Sequence, residues 1–511
     1  MHRSLSLFLS IALLVFNGGL TASGLRQTSQ STANPFSNSE APTACCKLYL
    51  PEVASNDNSS NITSQRTVNA PFFNVGNVLT DKFSEMAIFW FGKISPTSNY
   101  ADVRVGYNNT DLTIFVSVYD RMLWNSDPNP DITQLAQWDS ITLYLALAGA
   151  PLDSPTPNSF RFDVMAGDGA LDAQYYASRQ AAYRGNGSNW VLSNIPFTNR
   201  SYASWQDGTT GGYNNGQPNR GYAITFTIPF SSLGLSGPPT NGSVWKLGMV
   251  NHNRDDLAGT PIPDQTWPES LSTDVPASWG NLHFGLLPAY IPPPSTAGGT
   301  IVIRQGLNGI VVPDAAVGGT INNLCPGDPT FIWNTWSNAN FAGAEAVNIQ
   351  NQGNLSDWPC FAKYYVTFPL NSIPAGKVIL SAQLSLYEWG GSDCTQAVPS
   401  LIQVLTVGQD WDETKLTWNN APMAMENIAQ TWVGVVPNCF NGWPGAPYTW
   451  DVSRSVAQAY SNSIPLRLSL YEADLNLHSG KYFSTSEAFE GWAPSYLVGR
   501  PSLTIVWGNP Q

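Results

Sequence analysis

The sequence predicts an all-β protein: two tandem β-sandwich, jelly-roll-like domains joined by a Pro/Gly linker. Three observations carry that expectation. Apolar residues recur at every second position in one segment after another. No helical stretch of similar length separates those segments, and a proline-rich run divides them into two sets. The length of 511 residues agrees, because single cores rarely grow past ~250–300 residues.

The elements follow in chain order. Residues 1–23 read as a secretory signal, with His2 and Arg3 ahead of the apolar run Leu5–Leu20 and small residues Thr21-Ala22-Ser23 for cleavage. Residues 24–65 are rich in Ser, Thr and Asn and read as a flexible leader. The first domain is expected over 66–286. In it Leu112, Ile114, Val116 and Val118 alternate with Thr113, Phe115, Ser117 and Tyr119, the pattern of a half-buried strand. Ile141/Leu143/Leu145/Leu147, Phe160/Phe162/Val164 and Ile224/Phe226/Ile228 repeat it. Residues 287–299, with four prolines followed by two glycines, read as the linker. The second domain is expected over 300–508, with strands at Tyr365–Phe368, Ala382/Leu384/Leu386, Leu466/Leu468/Leu470 and Leu503/Ile505. One short helix is expected at Ser453–Tyr460, with Ser453 as its N-cap.

Composition narrows the partners. Only 12% of residues are charged and the net charge is −13, which disfavours nucleic acid and anionic membrane surfaces. Nineteen Trp in a neutral, polar chain suit sugars, whose ring faces offer C–H groups and whose edges offer hydroxyls. The expected partner is a polysaccharide or glycan met outside the cell, with no membrane contact beyond the export signal. Six Cys in an exported chain favour disulfides, and Cys325, Cys360, Cys394 and Cys439 are expected to form two within the second domain.

Three blocks of the second half resemble the DNRLRE-type domain, the group that includes carbohydrate-binding module family 96. They are Phe361–Tyr387, Asp410–Pro422, and Trp450–Ser453 with Tyr482–Ala488 and Arg500–Val506. The resemblance implies a jelly-roll sandwich with a binding role. Alginate-binding members take an acidic polymer, whereas residues 298–511 here carry 15 Asp+Glu against 8 Lys+Arg. The first half resembles carbohydrate-binding module family 9 through Ala101–Val105, Leu112–Asp120, Trp138-Asp139-Ser140, Phe160–Phe162, Gly221–Phe230, Trp267 and Trp279–Leu282. That resemblance implies a sandwich holding a sugar between two Trp rings, with Trp138 nearest the first ring and Arg161 at a sugar-contacting position. Near Asp274 and Val275, where the second ring is implied, no Trp stands.

Strand parity adds candidates. Arg161 and Asp163 point away from Phe160, Phe162 and Val164, and Asn251, Asn253 and Asp255 share one face of a later strand. Amides and guanidinium groups make in-plane hydrogen bonds to hydroxyls. Trp138, Arg161, Asp163, Asn251, Asn253 and Asp255 are therefore the expected carbohydrate-binding residues. No cofactor is expected other than a structural calcium, for which Asp127, Asp131 and Asp139 supply the hard oxygen ligands. Two other classes compete with a binding protein. A structural surface or matrix protein could use the same sandwiches, and a glycan-cleaving enzyme, which needs only two carboxylates, could draw on Glu413 or Glu487. No nucleophile elbow, paired-His metal motif or phosphate loop occurs.

Overall fold

The structure, a computed structural model, describes residues 65–511 except 75–77, 79–81, 127–129, 168–172, 206–211, 319–335, 353–359, 392–394, 475–478 and 489–495. The signal and nearly all of the expected leader lie outside the described residues. Among the described residues no helix is long and apolar enough to cross a membrane.

The first half folds as β1 (Thr67–Ala70), β2 (Ala87–Ser95), β3 (Ser98–Tyr107), β4 (Asp111–Tyr119), β5 (Ser140–Ala146), β6 (Ser159–Met165), β7 (Gln180–Gly185), β8 (Trp190–Leu192), β9 (Thr198–Trp205), β10 (Asn219–Pro229), β11 (Val244–Arg254), β12 (Pro261–Trp267) and β13 (Gly280–Phe284). One antiparallel sheet has the order β2-β3-β4-β10-β9. The facing sheet runs β8-β7-β6-β5-β11, and β11 then pairs with both β12 and β13. Val103, Val105, Ile114, Val116, Ile224 and Phe226 of the first sheet meet Leu143, Leu145, Phe160, Phe162, Leu247 and Met249 of the second. The alternating residues of the sequence thus point where their parity sends them.

The second half contributes β14 (Ser295–Arg304), β15 (Asp314–Val317), β16 (Ala346–Gln352), β17 (Cys360–Phe368), β18 (Val378–Gly391), β19 (Ser400–Val407), β20 (Ala424–Val433), β21 (Ala446–Asp451), β22 (Leu466–Glu472), β23 (Lys481–Ser484) and β24 (Ser502–Pro510). Strands β14, β24, β18 and β21 pair in that order, with β23 and β16 extending from β18. The facing layer is β15-β17-β22-β19-β20. Val366, Leu384, Leu386, Leu468, Leu470, Leu503 and Ile505 fill the space between. The helix covers Ser453–Ser461, but its N-cap is Val452. Ser453 instead uses its hydroxyl to accept from the backbone N–H of Ala382, tying the helix to β18.

The expected boundary between the domains changes. The segment 287–299 is not linker throughout, because β14 begins at Ser295 and pairs with β24 from there. Residues from Ile62 onward form one compact unit. The leading strand β1 pairs in parallel with β13 and also bridges β20 at Thr67 and Glu426. Asn69 exchanges three hydrogen bonds with Asn427, and Arg66 donates to the Met423 and Ala424 carbonyls.

Strand β4 is also not half-buried. Its second face is covered as well, because the β2-β3-β4-β10 face lies against β15, β17, β19 and β22. Ile88, Trp90, Tyr100, Phe115 and Tyr119 pack there with Phe361, Tyr365, Leu405, Trp418 and Tyr471. In this layer the Lys363 Nζ lies 3.9 Å from the Trp90 ring centroid and 3.8 Å from that of Trp418, and donates to the Tyr100 hydroxyl at 2.7 Å. Tyr100 donates to Asp102, which also accepts from Tyr471 and Asn351. Burial pushes the Lys363 ammonium far below its ordinary pKa, with Asp102 opposing the shift. Arg104 crosses the same seam to the Ala473 carbonyl at 2.8 Å.

Candidate carbohydrate-binding face

The outward face of the β5–β6–β7–β11 sheet holds a chain of polar side chains. The pairing Thr142↔Asp163 sets β5 and β6 side by side, and Val250↔Thr142 does the same for β11 and β5. Arg161 forks onto Asp163, Nε to Oδ1 at 2.9 Å and Nη2 to Oδ2 at 2.6 Å. The Thr142 hydroxyl lies 2.9 Å from Asp163 Oδ1 and 3.0 Å from His252 Nε2. His252 Nδ1 is 3.0 Å from Asp264 Oδ1 on β12. Since an ionised carboxylate only accepts, that nitrogen carries a proton and donates. Asp163 is 1% exposed, so the Arg161 fork and the Thr142 hydroxyl compensate a charge that would otherwise be costly to bury.

Aromatic rings flank this chain. Arg161 lies over Tyr183 at 4.6 Å. Half-buried Trp138 packs against the cluster of Leu135, Met165, Ala181 and Tyr183. Trp190, which opens β8, is also half-buried and packs against the same cluster. It stacks with Trp279 at 6.3 Å and 15°, and its Nε1 donates to Asp274 at 3.0 Å. Trp267 and Trp279 are fully buried.

Asn251 and Asn253 do not join this face. The register Met249↔Leu143 and Asn251↔Ile141 turns them toward the sandwich interior. Asn251 is 0% exposed and accepts from the Tyr222 hydroxyl, and Asn253 donates to Asn99. They share parity with Trp245, Leu247 and Met249, so the sequence already carried the signal that they point inward. His252, of opposite parity, is the residue that the outward chain uses. Trp190 was missed because it stands alone in a Gly-, Ser- and Asn-rich stretch with no alternation around it.

Asp255 lies just past β11, where burial, helped by Asp256, pushes its carboxyl up to about 6 against the pull of Arg121. Burial likewise raises Asp120 and Asp139, with repulsion from Asp139 adding to the first and from Asp255 to the second. Asp139 accepts the backbone N–H groups of Trp124 and Arg254, and Asp131 accepts from Thr133 in its own turn. Both carboxylates are thus engaged locally. Asp127 lies outside the described residues.

Elsewhere, Asp314, Glu413 and Glu487 bring carboxylate oxygens within 4.8 Å of one another. Asp314 is buried and accepts from the Tyr364 hydroxyl and the Ser486 N–H. Burial first, then Asp314, pushes the Glu487 carboxyl up to about 9. Burial raises Asp314 and Glu413 as well, so the trio resists carrying three charges at once. Cys325 and Cys394 lie outside the described residues, Cys360 opens β17, and Cys439 closes the short turn Pro437–Cys439.

Comparison with known proteins places residues 320–489 in a match to carbohydrate-binding module family 96. Among solved structures, a carbohydrate-binding module of family 9 from Caldicellulosiruptor kristjanssonii in complex with cellotriose aligns at 14% identity and TM-score 0.30, covering 44% of this chain and 100% of that one. The module of the same family and organism in complex with glucose aligns at 15% identity and TM-score 0.30, over 44% and 98%. A proposed carbohydrate-binding protein of Bacteroides uniformis ATCC 8492 aligns at 12% identity and TM-score 0.31, over 43% and 100%. None of the curated proteins matches the chain.

Proposed function

We propose that this protein is exported and binds a neutral extracellular polysaccharide without cleaving it. The observation that carries the reading is the outward face of the first sandwich, where half-buried Trp138 and Trp190 flank the chain Arg161–Asp163–Thr142–His252–Asp264. Rings of this kind take the C–H face of a pyranose, and the more exposed ends of the row, Arg161 and Asp264, held in place by the buried groups between them, read its hydroxyls. The family 96 match over residues 320–489 supports the same class of ligand. Each neutral hydrogen bond nets only ~0.5–1.5 kcal/mol, so affinity is expected in the micromolar to millimolar range. Salt should change it little.

Depletion of the purified protein by insoluble neutral polysaccharides tests the reading and separates it from a purely structural matrix role. Trp190→Ala and Trp138→Ala should each weaken binding, with a modest fall in melting temperature for Trp138, which packs on Leu135 and Met165. Retention only by acidic polymers, with steep salt dependence, would overturn it. One observation favours a glycan-cleaving alternative, the convergence of Asp314, Glu413 and Glu487. Release of reducing ends, lost in Glu487→Gln, would support that alternative.

Export also favours the pairings Cys394–Cys439 and Cys325–Cys360. Gly390, four residues before Cys394 in sequence, bridges Phe440, the neighbour of Cys439. Peptide mapping without reduction checks this, and free thiols at these positions would refute it.

A further inference from the structure

The second sandwich carries four aromatic rings that its core does not use. A bulge between Glu388 and Gly390, opposite β23, sets Trp389 off the regular ladder. Its ring meets Trp443 at 4.7 Å and Tyr482 at 5.6 Å, and Phe440 lies 5.8 Å from Trp443. Phe440 is 51% exposed, and the other three are half-buried. The loop that presents Phe440 and Trp443 is built at a conformational cost. Asn438, Cys439, Gly442 and Gly445 all have positive φ. Gly445 passes so close to β18 that a Cβ there would sit 2.3 Å from the Glu388 carbonyl oxygen. The Asn441 N–H then donates to the Trp389 carbonyl at 2.8 Å, and Phe440 bridges Gly390. A loop this constrained fixes exposed rings in place, although leaving a Phe half in water forgoes part of its burial.

The surrounding charges say what the rings can take. Lys481 turns inward and donates to the Val398 and Ser479 carbonyls. Arg500, next to Gly499, where a Cβ would meet Pro444, spends its guanidinium on the Ala488 and Gln305 carbonyls. Glu388 is 1% exposed. Among the described residues of this loop, Asn438 and Asn441 are exposed and offer their amides. An anionic polymer finds no free cation among these groups, whereas a neutral sugar finds ring faces and amide edges.

We propose that the Trp389–Phe440–Trp443–Tyr482 patch is a second carbohydrate site, which stacks the apolar face of a neutral pyranose. It rests on the carbohydrate-binding reading above but uses none of the residues of the first sandwich. The test uses the full chain and a panel of cellohexaose, xylohexaose, mannohexaose and an alginate hexasaccharide, followed by calorimetry. Phe440→Ala, at a half-exposed position, should leave the melting temperature close to that of the parent. It should weaken binding of at least one neutral hexasaccharide threefold or more, and Phe440→Trp should restore it. That loss should persist when Trp138 and Trp190 are both replaced by Ala. Unchanged binding in Phe440→Ala, with all binding lost in the Trp138/Trp190 variant, would overturn this site and leave the first intact. Binding lost in Phe440→Ala alone would retain this site and remove the first. Binding of the alginate hexasaccharide only would overturn both.

Discussion

Glu487 is a carboxyl that the fold prefers uncharged. Burial and the nearby Asp314 push it up to about 9, while in an unfolded chain it would titrate near ~4.3. Between those values the folded state keeps a proton that the unfolded state releases, so its contribution to stability falls as pH rises from about 4 to 9. Glu487→Gln carries no such proton. The melting temperature of the parent should fall across this range more steeply than that of the variant, and parallel profiles would refute the assignment. Single positions also show how much of the site was legible. Arg161 and Asp163 face outward as alternation demanded, and Trp138 packs at the edge of the same face. Asn251 and Asn253 share a face as parity demands, but it is the inward face of Trp245, Leu247 and Met249. The link from Thr142 through His252 to Asp264 spans three strands, and no single-strand pattern contains it.

At the level of elements, period-two alternation located β4, β5, β6 and β10 in the first half and β17, β18, β22 and β24 in the second. It failed where strands are short or carry little apolar content. β14 begins Ser-Thr-Ala-Gly-Gly, and this opening is held by its ladder to β24, with burial coming only toward the strand's end at Ile301 and Ile303. The turn ending at Gly445 was equally invisible, because its demand arises from the approach of β18 across a sequence gap. Gly445→Ala would force a side chain onto the Glu388 carbonyl at φ 99°. Strain of this kind costs about 1–3 kcal/mol. The variant should therefore melt lower and should lose the near-ultraviolet circular dichroism of the Trp389–Trp443 pair. An unchanged spectrum would show that the loop tolerates the side chain.

At the scale of the whole molecule, the seam between sandwiches decides behaviour. Linker composition suggested two independent folding units, but the seam buries Tyr365, Tyr471 and Trp418 of the second half under Trp90, Tyr100 and Phe115 of the first. Little in the residue pattern announced it, since a strand apolar on both faces looks like one with aromatic decoration. A fragment of residues 300–511 would expose those rings together with Lys363. It should aggregate or unfold without cooperativity, whereas the full chain should melt in one transition. A soluble, cooperatively melting fragment would refute this. Binding modules are commonly moved between proteins as self-contained cassettes, and the boxed Lys363 bears on that practice. A fusion that transplants the second sandwich alone would carry a lysine whose aromatic walls Trp90 and Tyr100 stayed behind. The smallest portable cassette is accordingly the pair, beginning ahead of Arg66 so that the first strand travels with both partners.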